Sequence, residues 1–272
     1  MQTIVEPKES QKAFNKNENI HLDVNMPGKL TVSIGEYSDK GRKEINQDFH
    51  GSYYPNDPLL TSKGITLAIA DGINNSYISQ VASETSVASF LDDYYCTAKT
   101  WAVKRSAELV LNATNSWLHA QSQKTQGNSD NDKDYVCTFS TLILKSTTAH
   151  ILHIGDTRIY RLRGDKLEQL TTDHCLRVSD EISYLNRGLG IYSILDIDYQ
   201  STPIKVGDIF FMTTDGVYEH VSDEFIADTI KEHNEDLDLA AELLVEQAYQ
   251  VGSTDSLTAQ LVKIEGLPKK ST

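Results

Sequence analysis

The stretch Ile209–Val221 reads "IFFMTTDGVYEHV". Ile209, Phe210, Phe211 and Met212 form a continuous apolar run, as a strand buried on both faces does. The run stops abruptly at Thr213-Thr214-Asp215-Gly216. A second stretch, "GITLAIADGINN" from Gly64 to Asn75, repeats the shape, with Ile65 to Ala70 leading straight into Asp71-Gly72. A carboxylate at the end of a buried strand is costly unless something offsets its charge. Two such strands raise the question of what the two acids share.

Working outward, "KLTVSIGEYS" alternates Leu30, Val32 and Ile34 with polar neighbours and predicts a strand. Two helical patterns follow Asp71. "SYISQVASETSVASFLDDYY" sets Ile78, Val81, Ala82, Thr85, Ala88, Leu91 and Tyr95 on one stripe. "WAVKRSAELVLNATNSWLHA" does the same through Val103, Ala107, Val110, Leu111, Thr114 and Leu118. "KTQGNSDNDKD" reads as a polar loop. Strands return at "YVCTFSTLILK", "AHILHIGD", "TRIYRLRGDKLEQL" and "DIFFMTTD", with a hairpin turn around Gly164-Asp165. Two more helices, one capped by Ser222 and one ending near Gly252, precede a last strand, "SLTAQLVKIE". Helix pairs between runs of strands are not the strict alternation of a doubly wound fold. Sheets flanked by helix pairs fit better.

The chain has 272 residues, within reach of one large domain. Residues 1–28 are polar with little periodicity and predict a flexible leader, 29–265 the folded domain, and 266–272 a tail. Lys plus Arg number 25 and Asp plus Glu 39, a net charge of −14, which disfavours a nucleic-acid partner. No apolar run reaches the roughly 18 residues a membrane span needs, and no secretory signal opens the chain. The expected location is cytoplasmic. Cys96, Cys137 and Cys175 are too far apart for a metal ribbon and read as small hydrophobes. The eight histidines include no H-x-x-x-H pair, so zinc chemistry is not indicated. His153 reads as a core residue, His174 and His220 as neighbours of the acids, and Arg158 as a partner for a carboxylate.

Four acids share a setting. Asp71 and Asp215 end apolar strands, Asp48 follows "INQ", and Asp255 in "GSTDSLT" precedes the closing strand. Singly, each Asp-Gly reads as a turn. Taken together with two further acids, and without Cys or His among them, they form the oxygen-rich set that suits Mg²⁺ or Mn²⁺. The glycines after Asp71 and Asp215 are consistent with backbone approaching an ion.

In that order, "GRKEINQD", "LAIADG", "HIGDTRIYRLRGDKLEQLTTDH", "IFFMTTDG" and "STDSLT" resemble the signature of the type 2C metal-dependent protein serine/threonine phosphatases, over about residues 30–264. The narrower likeness is to the phosphatase module that some bacterial proteins fuse to a protein kinase. The resemblance implies an α+β fold, a four-layer αββα sandwich of two antiparallel sheets flanked by helix pairs. It implies two or three Mg²⁺ or Mn²⁺ ions. Asp71 and the carbonyl of Gly72 match bridging and backbone ligands, Asp48, Asp215 and Asp255 the other carboxylates, and Asp156 a ligand to a weaker third ion. It further implies a phosphorylated protein as substrate, attacked directly by a hydroxide bridging the metals, and a possible protein kinase partner.

Two departures stand out. Where the family usually has Arg for phosphate binding, this chain has Lys43, with Arg42 adjacent, and the resemblance implies that either could bind phosphate, Lys43 by its position first. Lys keeps the charge and loses the bidentate fork. Where glycines and His often follow the bridging Asp, Asn74, Asn75 and Ser76 stand, which leaves the general acid unassigned. That departure motivates an alternative, a pseudophosphatase-type module that binds a kinase or its phosphorylated target without turnover.

Overall fold

The structure, a computed structural model, describes residues 14–17, 28–73, 76–125, 134–177 and 183–269. Two sheets lie face to face. One has the strand order β1(Phe14–Asn17), β3(Asp48–Tyr54), β4(Ile65–Asp71), β5(Phe139–Lys145), β6(Thr148–Ile154), β11(Asp198–Pro203). The other runs β2(Thr31–Asp39), β13(Leu257–Gly266), β12(Ile209–Thr213), β7(Arg158–Arg163), β8(Lys166–Gln169). A separate hairpin pairs β9(Cys175–Arg177) with β10(Ser183–Leu185).

Three apolar layers show why the sandwich holds. Ile65, Leu67 and Ile69 of β4 interleave with Phe210 and Met212 of β12 between the sheets. The opposite face of the first sheet is covered by α2(Tyr77–Cys96) and α3(Val103–Thr125), which bury Phe90, Leu91 and Leu111 against Phe139. The outer face of the second is covered by α5(Asp223–Glu232) and α6(Leu237–Val251), with Ile226 and Leu244 against Phe211 and Leu261. Phe210 and Phe211 thus point to opposite layers, as the two-residue period of a strand requires. The apolar run that opened the sequence is continuous because both its faces are covered.

The four-layer expectation is met, with two corrections. Within the expected flexible leader, Phe14–Asn17 form a strand that pairs parallel with β3, so the first sheet is antiparallel except at that edge. The rest of that leader up to residue 27 lies outside the described residues. The stripe expected on α2 is also rotated. Its buried residues are Ser79, Ala82, Ser83, Ser86, Val87, Phe90, Leu91, Tyr94 and Tyr95, while Val81, Thr85 and Ala88 are only half-buried. The buried serines find partners within the helix: Ser83 donates to the Gln80 carbonyl (3.0 Å) and Ser86 to that of Ala82 (2.7 Å), and Ser83 also reaches the distant Gln47 carbonyl (2.6 Å). Small polar residues with local partners let the helix lie close on the sheet.

The α3 stripe from Val103 to Leu118 is buried as expected. Ser222 accepts from Phe225 N at the start of α5, Gly252 ends α6, and Gly164 takes a positive φ of 60° in the β7–β8 turn. Two short helices, α1(Leu59–Lys63) and α4(Asp215–Tyr218), complete the set.

Candidate metal centre

The acids gather at one end of the sandwich because the strand register puts them there. Asp48 opens β3 and Asp71 closes β4, and the two residues are paired directly across the antiparallel ladder. Residues opposite one another on such a pair hold their Cβ atoms about 5 Å apart. From the second sheet, β12 delivers Asp215 at the first position of α4, and Asp255 precedes β13. Asp156 follows β6 in the turn to β7.

Asp48 is fully buried. Its Oδ2 accepts from Thr214 Oγ1 (2.8 Å) and Thr258 Oγ1 (2.7 Å), and its Oδ1 has no partner. The Oδ1 atoms of Asp71 and Asp215 are likewise buried and unpartnered. Three buried carboxylate oxygens without donors, on acids that feel one another's charge, are what a cation site looks like from the protein side.

The electrostatics agree. Burial, then the charge of Asp255, pushes the Asp48 carboxyl up to about 6, although the Thr258 and Thr214 hydroxyls oppose the rise. Asp71 is driven well above the usual carboxylate range by burial and then by Asp48, Asp215, Asp255 and Asp156. Asp215 follows, through burial and then Asp156, Asp255 and Asp48. Five acids therefore share one field. Among the described residues no three His, Cys, Asp or Glu side chains close into a ready-made cage for one ion. The donor set is oxygen only and fits Mg²⁺ or Mn²⁺.

Lys43 and Arg42 part company. Lys43 Nζ is ion-paired with Asp255 Oδ1. Burial lowers its pKa, but the hydrogen bond to Asp255 and the charges of Asp255, Asp71 and Asp48 outweigh this and leave it raised. Arg42 points elsewhere. It donates to the carbonyls of Ser253 and Tyr249 and lies over the Tyr249 ring at 4.5 Å. Of the two cations, only Lys43 faces the acids.

The glycines after the two strand-end acids have a packing reason. A Cβ on Gly72 would sit 2.2 Å from the Ser79 carbonyl oxygen of α2, and one on Gly216 2.1 Å from that of Ser256. Helix and loop backbone presses on both positions. Gly72 N also donates to the Gln47 carbonyl (3.1 Å), locking the Asp71 strand end to the Asp48 strand start.

Other expectations resolve residue by residue. Arg158 makes a bidentate pair with Asp173 (3.0 and 2.7 Å) and lies 3.7 Å over the Tyr218 ring, so it braces α4 just past Asp215. His153 is buried against Ser140. His174 accepts from Gly155 N beside Asp156, and the Nδ1 of His220 is buried without a partner. Only Cys137 behaves as a small core residue. Cys96 is exposed, and half-buried Cys175 lies 3.4 Å from Asp156 Oδ2. Asn74 and Asn75 lie outside the described residues, while Ser76 caps α2 by accepting from Ser79 N. Thr214 and Thr258 escaped notice in the sequence. The signal was there, a hydroxyl next to Asp215 and another three residues after Asp255.

The chain belongs to the protein phosphatase 2C family, whose sequence model matches residues 37–264, and so to the protein phosphatases as an enzyme class. It is 25% identical over 256 residues to the protein phosphatase PhpP of Streptococcus pneumoniae, covering 86% of this chain and 98% of that one. It is 24% identical over 251 residues to the serine/threonine phosphatase stp of Listeria welshimeri, covering 83% and 93%. Among solved structures, the S. agalactiae serine/threonine phosphatase shares the fold with a TM-score of 0.73 at 21% identity, covering 86% and 100%. The catalytic domain of the serine/threonine protein phosphatase PstP, in complex with two manganese ions, shares it with a TM-score of 0.71 at 23% identity, covering 87% and 100%.

Proposed function

We propose that this chain is a Mg²⁺- or Mn²⁺-dependent phosphatase that removes phosphate from serine or threonine of a protein. The observation that carries the metal dependence is the set of three orphaned, buried carboxylate oxygens on Asp48, Asp71 and Asp215. The relatives named for phosphatase activity, and the manganese in the PstP structure, support it. In this reading Asp48, Asp71, Asp215, Asp255 and the Gly72 carbonyl would hold two ions, and Asp156 with Asp215 would hold a third. Bound, such ions supply positive charge to phosphoryl oxygens and a water of lowered pKa.

The chain's own residues do the rest. Lys43 is recessed, its side chain 19% exposed, and its pairing with Asp255 aims the ammonium at the acids. A phosphoryl group entering between them exchanges that internal partner for its own oxygens. As a point charge, Lys43 tolerates more than one phosphate orientation, where an Arg fork would select one. Thr214 and Thr258 hold one oxygen of Asp48 and leave the other free to face the ions. The substrate reaches this chain from a protein kinase, the class of enzyme that places phosphate on such hydroxyls.

The test is hydrolysis of a phosphothreonine peptide with Mn²⁺, beside sugar phosphates. Turnover of the peptide and a loss of at least about a hundredfold in Asp71→Asn are expected, with the variant's metal-free melting temperature unchanged or higher. Sugar phosphates hydrolysed faster than the peptide would place the substrate among small metabolites. Tight Mn²⁺ binding by calorimetry without turnover would favour the binding-module alternative.

A further inference from the structure

We infer that Tyr77 is a specificity-determining residue, reading a large apolar or aromatic side chain next to the phosphorylated residue. The inference rests on the phosphatase reading above. Tyr77 is the first residue of α2 and is 70% exposed. It contributes nothing to the buried stripe of that helix, which begins two residues later at Ser79. Nor does an aromatic ring serve the helix terminus, where acidic residues or Pro would help, and the first turn of α2 has no acid.

A lone exposed aromatic needs no explanation. This one lines a groove of about 720 Å³ whose other walls include Lys43, Asp255, Gln47 and Ile45. The groove therefore joins the cation proposed to grip phosphate to a solvated ring. Lys43 is recessed, so a phosphoserine or phosphothreonine side chain must reach down to it while the peptide backbone stays at the mouth. The neighbouring side chain then meets the wall, where Tyr77 and half-buried Ile45 are the apolar residues of a lining that also holds Arg42 and Glu44. A tyrosine has few rotatable bonds, so it binds a partner at low entropic cost. The second cleft beside the acids, about 830 Å³, is lined instead by polar groups such as Asp156, Arg158 and Asp173, and its Tyr218 lies under Arg158.

Two readouts on the Mn²⁺-loaded protein test this: hydrolysis, and affinity by fluorescence anisotropy of labelled phosphothreonine peptides. The peptides differ only in carrying Ala, Phe or Arg on either side of the phosphothreonine. We expect the Phe peptide to bind about three- to tenfold tighter than the Ala peptide, with a matching fall in KM. Tyr77→Ala should erase that ratio, and Tyr77→Phe should retain it. A wild type that does not distinguish Phe from Ala overturns the assignment. So does a preference surviving in Tyr77→Ala, a Tyr77→Phe that behaves like Tyr77→Ala, or a stronger preference for Arg. Failure to hydrolyse the Ala peptide would count against the phosphatase reading, whereas the affinity ratio still decides for Tyr77.

Discussion

The two oxygens of Asp48 are treated oppositely. One accepts two hydroxyl hydrogen bonds, and the other is buried with none. A carboxylate that is half satisfied in this way is strained as a structural group and prepared as a ligand. Thr258→Val tests it, removing one donor at nearly constant shape. Because that hydroxyl favours the charged form, its loss should weaken Mn²⁺ binding in calorimetry. Stability should fall by about 1–3 kcal/mol, since a fully buried carboxylate loses a donor. Thr258→Ser should restore most of both. Asp48, Asp71, Asp156, Asp215 and Asp255 were legible as candidate ligands from strand ends and motif order. Thr258 was not, because a hydroxyl carries no charge pattern and its partner lies 210 positions away.

At the level of elements, Gly72 and Gly216 let two segments pack at backbone distance. Gly72→Ala brings a methyl to 2.2 Å from the Ser79 carbonyl oxygen, and the obstacle is helix backbone rather than a movable side chain. The start of α2 or the end of β4 must shift. An overpacking cost of about 1–3 kcal/mol is expected in urea unfolding, together with weaker Mn²⁺ binding, because Asp71 and Asp48 lose their mutual register. Lost stability with unchanged metal affinity would show that the contact serves packing alone. The glycine was conspicuous in the sequence, but the close approach it permits was not. That contact belongs to a helix whose buried stripe the sequence misplaced. Three buried serines contribute to that stripe, and hydropathy counts serine as polar whether or not it has a local partner.

Across the whole molecule, the acid end of the sandwich opposes folding until its charge is neutralised. Burial pushes the Asp48 carboxyl up to about 6 in the folded chain from an ordinary value of 3.8. A carboxyl raised on folding binds more protons in the native state than in the unfolded one between those values, so its ionisation costs stability as pH rises through that window. Metal replaces the protons. The metal-free protein should lose melting temperature from about pH 4 to above pH 6. The increment restored by Mn²⁺ should grow over the same range, as differential scanning calorimetry with and without chelator would show. An increment independent of pH would mean that the acids do not hold the ion. Asp71 and Asp215, shifted further, should extend the trend to higher pH.

By itself the sequence determined what local chemistry can encode. The continuous apolar runs of β4 and β12, the α3 stripe and the Ser222 and Gly252 caps each follow from residues within a few positions of one another. So does the arrival of an acid at each strand end. Three things were decided only by the tertiary structure: the parallel edge strand at Phe14–Asn17, the turning of Arg42 to the carbonyls of Tyr249 and Ser253, and the convergence of acids from both sheets on one end of the sandwich. The reason is physical. Register, burial and electric field arise between segments far apart in the chain, and one strand does not show which residue of another will lie opposite its aspartate.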